Sequence, residues 1–334
     1  MPAQRTDQDF RPEAQAPSTP VELSIVVPFY NEQAGCSLLF DRLVPILEAE
    51  VPDYEIVCVN DGSSDGTLDK LSTLRDQNER IKIVDLSRNF GKDIALSAGL
   101  DFATGHAVIP IDADLQDPPE LIPEMLEKWR EGYDSVIAVR LARPGHSWLK
   151  RASAGLFYRL MGRLSEVDLP ANAGDFRLLD RRVVDALTAF PERNRFMKGL
   201  FAWTGFRHCH VGYVRPERAA DSSKWRVWNL WNFAIDGIVS FTTLPLRMWS
   251  YIGSFIAIGA LAYMMFILAR TLIHGVDVPG YASLLVFLLF FSGLNMIGLG
   301  ILGEYIGRIF VEVKRRPLYI VRSTDGLEIK QQQD

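Results

Sequence analysis

The chain has 334 residues, 48% of them hydrophobic, with 36 basic residues against 41 acidic ones and a net charge of −5. That balance gives no whole-chain case for nucleic-acid binding. The three cysteines, Cys36, Cys58 and Cys209, are widely spaced with no CxxC pair, which excludes a disulfide framework and a cysteine zinc site.

Residues 1–20 are polar and proline-rich, with no apolar run, and read as a disordered tail without a signal peptide. Short Val- and Ile-rich runs follow at 23–28, 54–60, 81–86, 107–111 and 135–139. Segments of helical character separate them, at 32–50, 66–78, 92–103 and 119–131. Strands alternating with helices predict an α/β domain with a mostly parallel sheet covered on both faces. In such sheets ligands bind at the carboxyl ends of the strands. The marked polar residues fall there: Tyr30, Asn31 and Glu32 after the first strand, Asp61 after the second, and Asp112 and Asp114 after the fourth.

Charge nearly vanishes further on. Residues 251–273 hold one charge, Arg270, and residues 281–303 hold none. Each run reaches the roughly 20 residues that a membrane-spanning helix needs. The link at 274–280 has no Lys or Arg, whereas Arg247 precedes the pair and Arg308, Lys314, Arg315 and Arg316 follow it. The positive-inside rule then places both ends of the hairpin in the cytoplasm. Trp225, Trp228 and Trp231 recur every third residue just before it, the pattern of a helix lying in the membrane interface. The expected organisation is a tail over 1–20, a catalytic domain over 21–223, interfacial helices over 224–250, two spanning helices over 251–307 and a cytoplasmic tail over 308–334.

Several motifs are missing. The first strand leads into Pro28-Phe-Tyr-Asn-Glu32 rather than GxGxxG, and GxxxxGK[ST], GxSxG and HExxH do not occur. Dinucleotide-dependent dehydrogenases and P-loop enzymes lose their main support. The chemistry that remains is acidic. Asp112 and Asp114 project to one side if the chain stays extended. With the amide oxygen of Gln116 near, they suit a hard cation such as Mg²⁺ or Mn²⁺ that completes its shell from water and phosphates. Asp117, before Pro118 and Pro119, reads as a helix cap, and Asp65 as a turn or cap residue.

Taken together, PFYNE (28–32), NDGSSDGT (60–67), LSRNFGK (86–92), DADLQDPPE (112–120) and GEYIGRIFVEVKRRPLYIV (303–321) resemble the family 2 glycosyltransferases acting on polyprenyl phosphate. The bactoprenol glucosyltransferases and dolichol-phosphate mannose synthases are among these. The resemblance covers residues 21–322. It implies a GT-A fold and an inverting transfer of one sugar from a nucleotide sugar, UDP-glucose in first place, to a polyprenyl phosphate at the cytoplasmic face of the inner membrane. By the same resemblance Pro28, Tyr30, Glu32 and Asp61 bind the nucleoside, and Asp112, Asp114 and Gln116 hold Mg²⁺ or Mn²⁺ on the diphosphate. Arg140, Arg218 and Lys224 bind phosphate, with Arg195 a further nucleotide-sugar candidate. Arg151 and Ser153 meet the acceptor phosphate, and Asp175 aligns with the proposed catalytic aspartate. One departure stands out: Asp221 occupies the position where the family carries glycine between the matching Arg218 and Lys224. A processive polysaccharide synthase is a competing reading, but no QxxRW motif follows the acidic cluster. A membrane-anchored nucleotide-sugar sensor is another. Glycines 293, 298, 300 and 303 in the second apolar run permit close helix packing and hence a homo-oligomer.

Overall fold

The computed structural model describes residues 21–141, 173–193, 195, 197–213, 244–274 and 280–327. Arg151, Ser153, Arg218, Asp221, Lys224 and the tryptophan-rich stretch 225–233 lie outside them.

The chain divides into two compact units, one holding the α/β domain together with residues 316–334 and the other essentially residues 227–315. In the first, β1 (Leu23–Phe29), β2 (Tyr54–Asn60), β3 (Ile81–Leu86), β4 (Ala107–Pro110) and β5 (Ser135–Arg140) fall within a residue or two of the expected runs. So do α1 (Gln33–Glu50), α2 (Thr67–Gln77) and α3 (Lys92–Phe102), whereas α4 (Ile122–Arg130) begins three residues later than expected, after a short helical turn at Pro119–Leu121. The apolar runs are unbroken because both faces of the sheet are covered. Leu23, Ile25, Val27 and Phe29 pack with Leu39, Leu43 and Leu47 of α1 in one layer. Val26, on the other face, packs with Ala95, Leu96 and Leu100 of α3. A Cβ on Gly99 would come within 2.2 Å of the Val26 side chain, so glycine there lets α3 lie directly on β1.

Four further elements complete the domain: β6 (Ala173–Asp180), α5 (Arg181–Ala189), α6 (Met197–Trp203) and β7 (His208–Tyr213). The eighth strand, β8 (Val321–Asp325), comes from the segment expected as a tail. The sheet order is β7-β5-β6-β4-β1-β2-β3-β8. β1 pairs in parallel with both β2 and β4, and β2 with β3. β6 enters antiparallel between β4 and β5, and β8 lies antiparallel on β3. Six of the eight described strands therefore run one way, and the mostly parallel reading holds.

In the second unit, α7 (Leu244–His274) has 31 residues and α8 (Tyr281–Val313) has 33. Glu304 and Arg308 form the anticipated i, i+4 pair at 3.1 Å. Among the described residues, no helix is long and apolar enough to cross a membrane.

Candidate active site

The chain leaves β1 in one direction through β2 and β3, and returns on the other side of β1 as β4. That reversal opens a crevice at the carboxyl ends of β1 and β4, where open α/β sheets bind ligands. A cleft of about 240 Å³ lies there, lined by Pro28, Tyr30, Glu32, Asp61, Lys92, Asp112 and Asp114 among others. Six of the candidates from the sequence thus share one cleft. Its volume is below the roughly 300–1,000 Å³ of a pocket that encloses a drug-sized ligand.

Two loops form one side of the cleft. Asn31, left-handed at φ 54°, donates its backbone N–H to the Ser63 hydroxyl oxygen at 3.0 Å, and its side-chain oxygen accepts from the Ser64 N–H at 2.8 Å. Asp65 accepts from the Thr67 N–H and hydroxyl and so closes the turn that leads into α2, in keeping with the turn-or-cap expectation. Asp61, 3% exposed, accepts from the Phe90 N–H at 2.7 Å and the Gly91 N–H at 2.9 Å. Its carboxylate secures the loop leading into α3. The loops touch closely: a Cβ on Gly62, φ 63°, would lie 2.3 Å from the Arg88 carbonyl carbon.

After β4 the chain alternates. Ile111 and Ala113 are buried, Asp112 is half-buried and Asp114 is exposed, so both carboxylates project from the face opposite the core residues. The extended run ends at Leu115, left-handed at φ 57°. Gln116 is 3% exposed, does not line the cleft, and donates its backbone N–H to Asp114 at 3.1 Å. The anticipated metal set thus reduces to Asp112 and Asp114 at the cleft itself. Asp117 is a correction. No side chain caps the helical turn at Pro119–Leu121. The Asp117 carboxylate, buried at 2%, instead accepts from the Tyr213 hydroxyl at 2.8 Å and lies 3.8 Å from Arg140. A buried carboxylate needs such partners more than a solvated helix start needs a cap. Arg140 also donates to the Tyr213 hydroxyl at 3.0 Å.

The antiparallel β6 adds what no single motif showed. Its register pairs Ala107 with Asp180 and Val108 with Leu179, and continued along the chain it sets Asp175 opposite Asp112. Lys92, the first residue of α3, bridges them. Its ammonium is 2.7 Å from Asp112 and 2.8 Å from Asp175. Burial works to lower the Lys92 ammonium, but Asp112 and Asp175 outweigh it and hold it charged well beyond the ordinary lysine range. Burial pushes the Asp112 carboxyl upward; Lys92 opposes this, while Asp175 and Asp114 add to it. Lys92 escaped the sequence reading as a site residue, although it ends the LSRNFGK motif. Arg177 escaped it too. Its guanidinium is buried, stacks 4.0 Å over Phe201 and donates to the Gly174 carbonyl at 2.6 Å, fixing the backbone just before Asp175. Arg195 departs from its expected role. Its buried guanidinium donates to the Leu187 and Phe190 carbonyls at the end of α5, and it does not line the cleft. Unsatisfied carbonyls at a helix end are a common berth for arginine.

Residues 24–188 match the family model described as glycosyl transferase family 2. An uncharacterized glycosyltransferase of Synechocystis sp. is 56% identical, over 92% of this chain and 97% of its own. The chain belongs to glycosyl transferase family 2. The transferase is also 46% identical to a prophage-derived bactoprenol glucosyl transferase of Shigella flexneri, over 91% of its own length and 98% of that protein. A prophage bactoprenol glucosyl transferase homolog of Escherichia coli matches at 46% over 90% and 99%. Among solved structures, glucosyl-3-phosphoglycerate synthase of Mycobacterium tuberculosis matches at 20% identity and a TM-score of 0.45, over 66% of the transferase and 76% of that chain. A likeness that distant carries nothing about substrate or metal.

Proposed function

We propose that this glycosyltransferase moves a single glucose from UDP-glucose to a polyprenyl phosphate at the cytoplasmic face of a membrane. The observation that carries the reading is the convergence of Tyr30, Glu32, Asp61, Asp112 and Asp114 on the crevice between β1 and β4, with Lys92 and Asp175 beside it. The bactoprenol names borne by relatives over nine-tenths of the chain support the acceptor and the sugar.

Asp112 and Asp114 fit a divalent cation of a particular kind. Among the described residues no cluster of three or more His, Cys, Asp or Glu could cage a metal. Two hard carboxylates at a cleft mouth suit Mg²⁺ or Mn²⁺ shared with substrate phosphates. When bound there, the ion would neutralise the leaving diphosphate. The remaining work falls to the protein. An oxygen of the lipid phosphate attacks the anomeric carbon as the bond to the nucleoside diphosphate breaks. A phosphate monoester, with a second pKa of about 6, is already mostly ionised at neutral pH and needs no base to strip a proton. Asp175, already accepting from Lys92, orients the acceptor or the sugar, and Lys92 and Arg140 offset repulsion between the two anionic substrates.

A membrane site for α7 and α8 is part of the same proposal. Phe255, Ile258, Leu272, Leu284 and Phe290 are more than 60% exposed along them, an exposure that water disfavours and lipid accepts. The residues outside the description keep the roles the resemblance gave them: Arg151 and Ser153 at the acceptor phosphate, Arg218 and Lys224 at the donor.

The test is a panel of radiolabelled nucleotide sugars with undecaprenyl phosphate and membranes containing the protein, with Mg²⁺ or Mn²⁺ added. UDP-glucose is expected to label the lipid fraction. Asp114→Ala is expected to abolish labelling while membrane insertion persists. If no donor labels lipid, the reading fails.

A further inference from the structure

The strand that returns from the second unit is tied to the cleft by an unbroken chain of hydrogen bonds. The ladder between β3 and β8 pairs Asp85 with Ser323 and Leu86 with Val321, so Arg322 is the extra residue of a bulge. Bulges re-aim a side chain, and this one turns Arg322 onto two groups of β3 and its exit. One guanidinium nitrogen donates to Asp85 at 3.2 Å and the other to the Ser87 carbonyl at 2.7 Å. Asp85, 1% exposed, accepts on its other oxygen from the Asn60 amide at 2.7 Å. The Asn60 side-chain oxygen in turn accepts from the Ser63 N–H at 3.3 Å, and the Ser63 hydroxyl receives the Asn31 N–H at 3.0 Å. Asn31 lies in the chain between Tyr30 and Glu32, which line the cleft. The second contact begins the other branch: Ser87 opens the loop whose Phe90 and Gly91 N–H groups hold Asp61 and which delivers Lys92.

We infer that Arg322 is a positioning residue for the donor. It acts through Asp85, Asn60 and Ser63 on the loop carrying Tyr30 and Glu32, and through Ser87 on the loop carrying Lys92. The physical basis is the buried Asp85–Asn60 pair. A buried carboxylate that loses its cation shifts or draws in water, and the side chains hydrogen-bonded in series behind it lose their fixed positions. The strap has a second attachment that bypasses this chain: the Tyr319 hydroxyl donates to Asp101 on α3 at 2.9 Å. It serves as an internal control.

The inference rests on the cleft being a nucleotide-sugar site, so the test has one readout that needs turnover and one that does not. Full-length protein in detergent is compared as wild type, Arg322→Gln, Arg322→Lys and Tyr319→Phe. Arg322→Gln is expected to raise KM for UDP-glucose about tenfold with kcat within about twofold, the signature of lost substrate binding. Arg322→Lys is expected to recover part of that loss, and Tyr319→Phe to leave KM unchanged. In the absence of substrate, amide exchange of peptides covering 29–33 and 60–65 is expected to quicken about tenfold in Arg322→Gln and not in Tyr319→Phe. Unchanged exchange at those peptides in Arg322→Gln overturns the inference, as does an equal effect in Tyr319→Phe. A wild type that turns over no nucleotide sugar would instead overturn the function proposed above, with the exchange readout still deciding the role of Arg322.

Discussion

Replacing Lys92 with methionine tests the electrostatics of the cleft most directly. The ammonium lies 2.7 Å from an Asp112 oxygen and 2.8 Å from an Asp175 oxygen, so those two oxygens are at most about 5.5 Å apart. Without the cation their repulsion amounts to roughly 3 kcal/mol at an effective dielectric near 20. Lys92 is 45% exposed and Asp112 28%, and screening by water leaves roughly 1–2 kcal/mol. A loss of that size corresponds to roughly a 5- to 30-fold fall in kcat/KM. The direction with pH follows from Asp112. Its carboxyl is already raised by burial, and Lys92 is the group that opposes the rise. Removing Lys92 therefore raises it further, and the acid limb of the pH–rate profile moves to higher pH. The folded state holds that proton more tightly than the unfolded chain, so ionising Asp112 costs stability as pH rises through the window between the two values. The assay is sugar transfer to lipid, followed from about pH 5 to 9, with the melting temperature measured alongside. Wild-type kcat/KM together with an unmoved acid limb would refute the claim that Lys92 neutralises this pair.

Other substitutions probe the supports of the cleft. Asp61→Ala strands the Phe90 and Gly91 N–H groups, and is expected to lower stability by roughly 1–3 kcal/mol and to weaken UDP binding, read by thermal denaturation and calorimetry. Gly62→Ala drives a methyl against the Arg88 backbone at a left-handed position; a loss of at least about 1 kcal/mol is expected, seen as a lower melting temperature. Tyr213→Phe removes the hydroxyl shared by Asp117 and Arg140. Burial already raises Asp117, and the Tyr213 hydrogen bond is among the groups that hold it down, so its carboxyl is expected to titrate higher, by carboxyl-resolved NMR. Stability above that range is expected to fall by roughly 1–3 kcal/mol.

The domain was readable from its local pattern because its parallel strands are buried on both faces. Mostly apolar runs such as Leu23–Phe29 and Tyr54–Asn60 have few conformations that bury them, and the acids that follow them had to stand at a sheet edge. Residues that act within their own loop were legible for the same reason: Asp65 closes the turn onto Thr67, and Asp112 and Asp114 alternate out from a strand end. Asp117 was misread because its partner, Tyr213, is 96 residues away and leaves no trace in a six-residue window. Arg195 was misplaced because an arginine that serves a helix end looks, in sequence, like one that serves a phosphate.

By itself the sequence determined the alternating order of strands and helices through β5, the acidic cluster after β4 and two long helices, since these follow from periodicity and composition over short spans, while the family came from the resemblance its motifs carry. The tertiary structure decided the rest. It inserted β6 antiparallel beside β4, and only that register sets Asp175 opposite Asp112 with Lys92 between them. It also brought the chain back as β8 to lay Arg322 on Asp85. Strand pairing across some 70 and 240 residues is fixed by which edges remain free to bond once the parallel core has formed, a property of the assembled sheet that no local stretch of residues carries.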